Sequence, residues 1–248
     1  MIAEIAARHE RPVVIASLAA VTAGALFVTI GTGDLLMMAP AAESSSTLYL
    51  ALMFVMWWTM MMAMMLPSAA PAILLFGALS RKRAAAGAAI PAAAFAGGYA
   101  IVWAGFSLAA VMLQLALARM VFFDGMMEAH SVTLGGILLM AAGIYQLTPW
   151  KSSCLKHCQS PLLFFAHNWR SGMAGALRMG VAHGLYCVGC CAVLMGLLFY
   201  GGVMDLWWIA GLAAYVLIEK LVVRGPLLSR LSGGLLLVWG AAVLWRTA

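Results

Sequence analysis

All five cysteines of this 248-residue chain lie between residues 154 and 191. Cys154 and Cys158 frame a C-x-x-x-C segment, and Cys187, Cys190 and Cys191 form C-x-x-C-C. Thiolates are soft ligands, suited to Cu(I), zinc or mercury-like ions. At about 100° per residue, His183, Cys187, Cys190 and Cys191 fall within roughly 100° of arc on one helical face. One helix does not wrap a metal by itself, but such a face offers two or three ligands. Cys154 and Cys158 are likewise an i, i+4 pair on a helix, with His157 beside them. The plainer reading of one buried cysteine is an inert small hydrophobe, and of one interior histidine a hydrogen-bonded core residue. Three cysteines in five residues, in register with a histidine, point to metal or redox chemistry instead.

The elements that hold these residues are membrane helices. Hydrophobic residues make up 65% of the chain and charged residues 9%, against roughly 45–50% and 25% in soluble domains. Apolar runs of spanning length are continuous rather than alternating, which selects helices over a barrel. The predicted fold is an all-α polytopic transmembrane bundle, one domain over 1–248. Seven spans are expected, near 13–31, 49–68, 90–116, 132–149, 179–200, 204–222 and 231–246. Pro67 and Pro71 either end the second span or kink it on the way to Leu79. The stretch 161–178 mixes Phe164, Phe165 and Trp169 with Arg170 and Arg178. It reads as an interfacial helix or a tightly held loop.

Basic residues set the orientation. With the N-terminus in the cytoplasm and seven alternating spans, 12 of the 14 lysines and arginines fall on inner segments. Only Arg119 and Arg246 lie outside, the split that the positive-inside rule predicts. The net charge of +6 therefore reflects topology, and nucleic acid is not an expected partner. Every cysteine then lies in the inner half of the bilayer. The cytoplasm keeps thiols reduced, so disulfide staples do not explain them. Glu219 and Lys220, at the inner end of the sixth span, read as a structural ion pair.

Methionines add a second soft donor. In the second span Met53, Met56, Met60 and Met64 form one stripe. Met60 and Met64 lie about 16–23 Å from the outer entrance, level with Cys187 and Cys190. Thioethers bind Cu(I) and ignore hard ions, although methionine also fills apolar helices for packing alone. Met37-Met38 and Met126-Met127 are expected outside. Thioethers outside and thiols inside form the gradient that an inward-moving Cu(I) would meet. An outer loop with Asp124, Glu128 and His130 either recruits a cation or is simply solvated.

Four segments together resemble one family. They are Met60-Met61-Met62-Ala63-Met64-Met65-Leu66-Pro67, Tyr145-Gln146-Leu147-Thr148-Pro149-Trp150-Lys151, Cys154 to Cys158 with Ser160-Pro161, and Gly184 through Cys187-Val188-Gly189-Cys190-Cys191. The chain is similar over roughly 50–222 to bacterial metal-binding integral membrane proteins labelled copper chaperones. It departs from their pattern at Ala192, where tryptophan often follows the double cysteine, and at Gln159, where arginine is common. The resemblance implies a multi-pass protein of the bacterial inner membrane. It implies metal binding, copper foremost, through the matching cysteines and the methionine-rich segment.

The metal ligands expected are therefore Cys187, Cys190, Cys191, Cys154, Cys158, His183, His157, Met60 and Met64. Cu(I) is the expected ion, with zinc or another soft metal as the alternative. The partners expected are the lipid bilayer, the metal ion and a client cuproprotein or metallochaperone. A copper chaperone or transporter is the leading function. The alternatives are a mercury-type heavy-metal transporter and a membrane copper or thiol oxidoreductase. A quinone-linked thiol oxidoreductase needs its dithiol on the oxidising side, opposite to the side predicted here. No Ser–His–acid set or phosphate loop is evident in the sequence.

Overall fold

Apolar runs this long leave the backbone no partner except itself, and every element formed is a helix. The computed structural model describes residues 2–38, 47–83, 89–119, 132–222 and 225–246. Ten helices run through these residues, with no strand among them. They are α1 (Ile2–Met38), α2 (Thr47–Arg83), α3 (Ala89–Arg119), α4 (Val132–Gln146) and α5 (Pro149–Gln159), followed by α6 (Pro161–Asn168), α7 (Gly172–Met195), α8 (Leu198–Gly201), α9 (Leu206–Leu221) and α10 (Gly225–Trp245). Residues 39–46, 120–131 and 223–224 lie outside the described set. With them go the expected outer features at Asp124, Met126, Met127, Glu128 and His130.

Among the described residues, five helices are long and apolar enough to cross a membrane. The bent pair α4–α5, at 66°, makes a sixth if it counts as one span. Helix α9 has 16 residues, short of the roughly 20 that a full crossing takes. Large apolar side chains on the outer faces are bare, among them Phe27 at 79% and Val238 at 70% exposure. An exterior of this kind fits lipid rather than water.

Two open points are decided at the helix ends. Helix α2 passes through both Pro67 and Pro71 without ending. Two hydroxyls bond the Met65 carbonyl within the same stretch, Ser68 Oγ at 2.8 Å and Tyr99 Oη of α3 at 3.2 Å. The 161–178 stretch is not one interfacial helix. It divides into α6, an irregular link at Trp169–Ser171, and the first turns of α7. The break falls at Gly172, whose φ of 78° favours a residue without Cβ. Phe164 and Phe165 anchor α6 by burying their rings.

The bundle closes through glycine. Helix α3 lies against α7, and α4 against α10. A Cβ on Gly98 would overlap the Leu177 carbonyl, and one on Gly180 would overlap that of Phe95. On the other pair, a Cβ on Gly143 would come 2.9 Å from the Gly233 carbonyl, and one on Gly240 would come 3.1 Å from that of Gly136. Without a hydrophobic force between helices in lipid, such close approach supplies the packing. Gly180→Ala therefore forces α3 from α7, at a cost of about 1–3 kcal/mol. A lowered unfolding temperature in detergent checks this; an unchanged one refutes it.

The α2 methionines occupy the centre. Met53, Met56, Met60, Met61, Met64 and Met65 are all buried, alongside Trp57, Tyr99 and Trp103.

Candidate metal centre

Helix α7 carries three cysteines on its buried face, as the 3.6-residue period requires. Cys190 Sγ and Cys191 Sγ both donate to the Cys187 carbonyl, at 3.1 and 2.9 Å. Helix α5 brings a fourth thiol. Its Cys158 Sγ lies 3.9 Å from Cys190 Sγ. Sulfurs from two helices thus meet in one place. Cys154 takes a different position. Its Sγ sits over Gly189, where a Cβ would come within 2.8 Å.

Three further helices complete the surroundings. Cys191 Sγ lies 3.8 Å from Met65 Sδ of α2. Tyr99 Oη of α3 is 3.1 Å from Cys187 Sγ. Lys220 Nζ of α9 donates to Cys187 Sγ and to Ser68 Oγ, each at 3.0 Å. Cys187, Cys190, Cys191, Met65 and Tyr99 are essentially inaccessible, and Lys220 is buried too.

The position of α5 is itself built from polar contacts. Thr148 caps its first turn by accepting from the Lys151 amide at 3.3 Å, and Pro149 follows at the first helical position. The fully buried Lys151 ammonium donates to both Glu219 carboxylate oxygens, at 2.7 and 2.9 Å, and to Gln146 Oε1. Glu219 also accepts from Tyr215 Oη (2.9 Å) and Ser229 Oγ (2.7 Å). The carboxylate is thus satisfied on every side, the condition under which a buried charge is tolerated. Gln159, at the other end of α5, donates to the Glu219 and Val222 carbonyls at 2.8 and 3.1 Å. A clamp of three elements therefore carries Cys158 to α7.

This corrects the expected Glu219–Lys220 pair. Neighbours on a helix diverge by about 100° and cannot face each other. Glu219 turns to Lys151 and Lys220 turns to the sulfurs.

The remaining expected ligands are placed as follows. His183 is buried, and its Nδ1 has no hydrogen-bond partner. Its ring is packed among Phe95, Tyr99 and Phe164, with centroids 5.5–6.1 Å away. His157 is half-buried, stacks on Tyr186 at 4.2 Å, and bonds the Ser153 carbonyl through Nδ1 (2.9 Å). It faces a recess of 470 Å³ shared with Lys156, His167 and Asn168. Met60 and Met64 belong to the buried core, but the thioether that meets a thiol is Met65.

Among the described residues no three Cys, His, Asp or Glu side chains stand as a ready-made ligand set. The reason is visible in the contacts. Cys190 and Cys191 direct their protons at the Cys187 carbonyl, and ligation takes deprotonated sulfur turned towards the ion. The donor chemistry still fits a soft cation: three buried thiols and a half-buried one, with a buried thioether beside them.

Sequence reasoning missed Met65, Tyr99, Ser68 and Lys220. Only Lys220 had a signal, because an ionisable residue at membrane depth is a functional suspect.

A family model described as PpoB2, copper chaperone, matches residues 54–243. No curated protein and no solved structure matches the chain.

Proposed function

Because the chain belongs to the PpoB2 copper chaperone family, we propose that it holds Cu(I) at the meeting point of α5 and α7 and hands it to a client. Family membership supports a copper-related role. The further reading rests on one observation, the approach of Cys158 Sγ to Cys190 Sγ across two helices, at 3.9 Å. Two separate elements supply what a single helix does not, thiols converging from different directions. Cys158, Cys187, Cys190 and Cys191 are the proposed ligands, with Met65 Sδ as a soft neighbour. Thioether and thiolate favour Cu(I) over hard ions.

In this reading α1, α2, α3, the α4–α5 pair, α7, α9 and α10 cross the bilayer of a bacterial inner membrane. The N-terminus is cytoplasmic and the sulfurs lie in the inner half. The methionine core of α2 supplies thioethers leading towards them. A cytoplasmic metallochaperone or cuproprotein then approaches at the recess bordered by His157, Lys156 and His167.

The test is metal content. Protein purified without oxygen and exposed to Cu(I) is expected to retain it through gel filtration. The Cys187→Ser/Cys190→Ser/Cys191→Ser variant, eluting at the same volume, is expected to retain none. Equal copper in both refutes the site. Wild type without copper refutes the function.

A further inference from the structure

Lys220 belongs to no ion pair among the described residues. It lies at the inner end of α9 with 6% of its surface exposed. The adjacent Glu219 is engaged by Lys151. The groups that Nζ touches are the Ser68 hydroxyl and the Cys187 sulfur, both at 3.0 Å. An ammonium in a dry interior is costly unless an anion compensates it. Here the compensating group has to come from sulfur. The phenol of Tyr99 lies 3.1 Å from the same sulfur, and is a neutral group rather than a counter-charge.

This arrangement makes the charge of the bound ion matter. With two of the four thiols deprotonated around Cu(I), the complex carries one net negative charge, and the Lys220 ammonium cancels it. Two thiolates around Hg(II) are already neutral, and the same ammonium then stands uncompensated. Removing the ammonium reverses the balance, leaving the copper complex charged and the mercury complex neutral. In a low-dielectric site a single uncompensated charge dominates other differences between two soft ions.

We infer that Lys220 is a specificity-determining residue, whose fixed positive charge tunes the sulfur site to a monovalent soft cation and against a divalent one. The inference rests on the proposed Cu(I) site. It assigns Lys220 a positioning and charge-balancing part, not that of a ligand.

Full-length wild type, Lys220→Met and Lys220→Arg are to be compared in detergent. Cu(I) is titrated against a Cu(I)-specific chelator, and Hg(II) against glutathione. Lys220→Met is expected to lower Cu(I) affinity relative to Hg(II) by about tenfold or more. Lys220→Arg keeps the charge and is expected to keep the wild-type ratio. If Lys220→Met fails to fold, Lys220→Gln, which retains a polar contact for Ser68, takes its place. A purely structural role for Lys220 weakens both metals equally, and that outcome overturns the inference while leaving the copper site standing. Wild type that binds no Cu(I) removes both.

Discussion

Lys151→Met is expected to be the most destabilising single substitution in this bundle, at about 3–5 kcal/mol. The side chain is fully buried, and its ammonium is bonded to both oxygens of a carboxylate that is itself inaccessible. Methionine fills similar space, so the loss is not one of packing. It is the cost of leaving Glu219 charged and short of its cation in a dry interior. Tyr215 and Ser229 remain as donors, but neutral hydroxyls do not replace a full charge. The double variant Lys151→Met/Glu219→Gln removes the stranded charge and is expected to recover much of the loss. Thermal unfolding in detergent, followed by tryptophan fluorescence, reads both. If Lys151→Met melts like wild type, the clamp does not hold α5 as described.

Cys158→Ser is expected to reduce Cu(I) affinity on the order of 100-fold or more, and Cys154→Ser by less than about tenfold. The two residues occupy successive turns of α5, so composition gives no reason to separate them. Geometry does. Cys158 Sγ approaches the sulfurs of α7, whereas Cys154 Sγ rests against Gly189. Loss of a group that merely orients a ligand costs 10–100-fold in metal affinity, and loss of a ligand should cost at least as much. Serine keeps the volume and removes the soft donor. Competition with a Cu(I) chelator measures both variants. Equal losses would place Cys154 in the same ligand set; no loss in either would place the ion on α7 alone.

Much of this was legible in the sequence, for reasons that can be named. The helical period placed Cys187, Cys190 and Cys191 on one buried face of α7, because spacing along a helix is a local property. Continuous apolar runs announced an all-helical chain. The pairing of Cys158 with Cys190 was left open, because it depends on a 66° bend after Gln146 and on a clamp between residues 68 positions apart. No local pattern encodes either. The methionine stripe shows the limit from another side. Met60 and Met64 follow the 3–4 spacing, and Met65 stands one residue, about 100°, round the helix. Which of these faces meets α7 is decided by how α2 and α7 pack, and pattern alone does not rank them. Pro67 and Pro71 left the end of the second span open between a stop and a kinked continuation, and the helix continues through both. Glu219 and Lys220 were misread because adjacency in sequence suggested a pair that helix geometry forbids.

The sulfurs of α7 ride on one rigid rod, and their mutual spacing is fixed for as long as that helix is intact. Cys158 rides on another, tethered to α9 by Lys151 and Gln159. The donor set is therefore divided between two jaws. A small swing of α5 changes the Cys158–Cys190 gap and leaves the three cysteines of α7 fixed relative to one another. At the proposed site, grip on the ion would then be a mechanical variable: a partner pulling on the exposed side of α5 would loosen it without any change in redox state or acidity. A site split in this way is built for surrender as much as for capture.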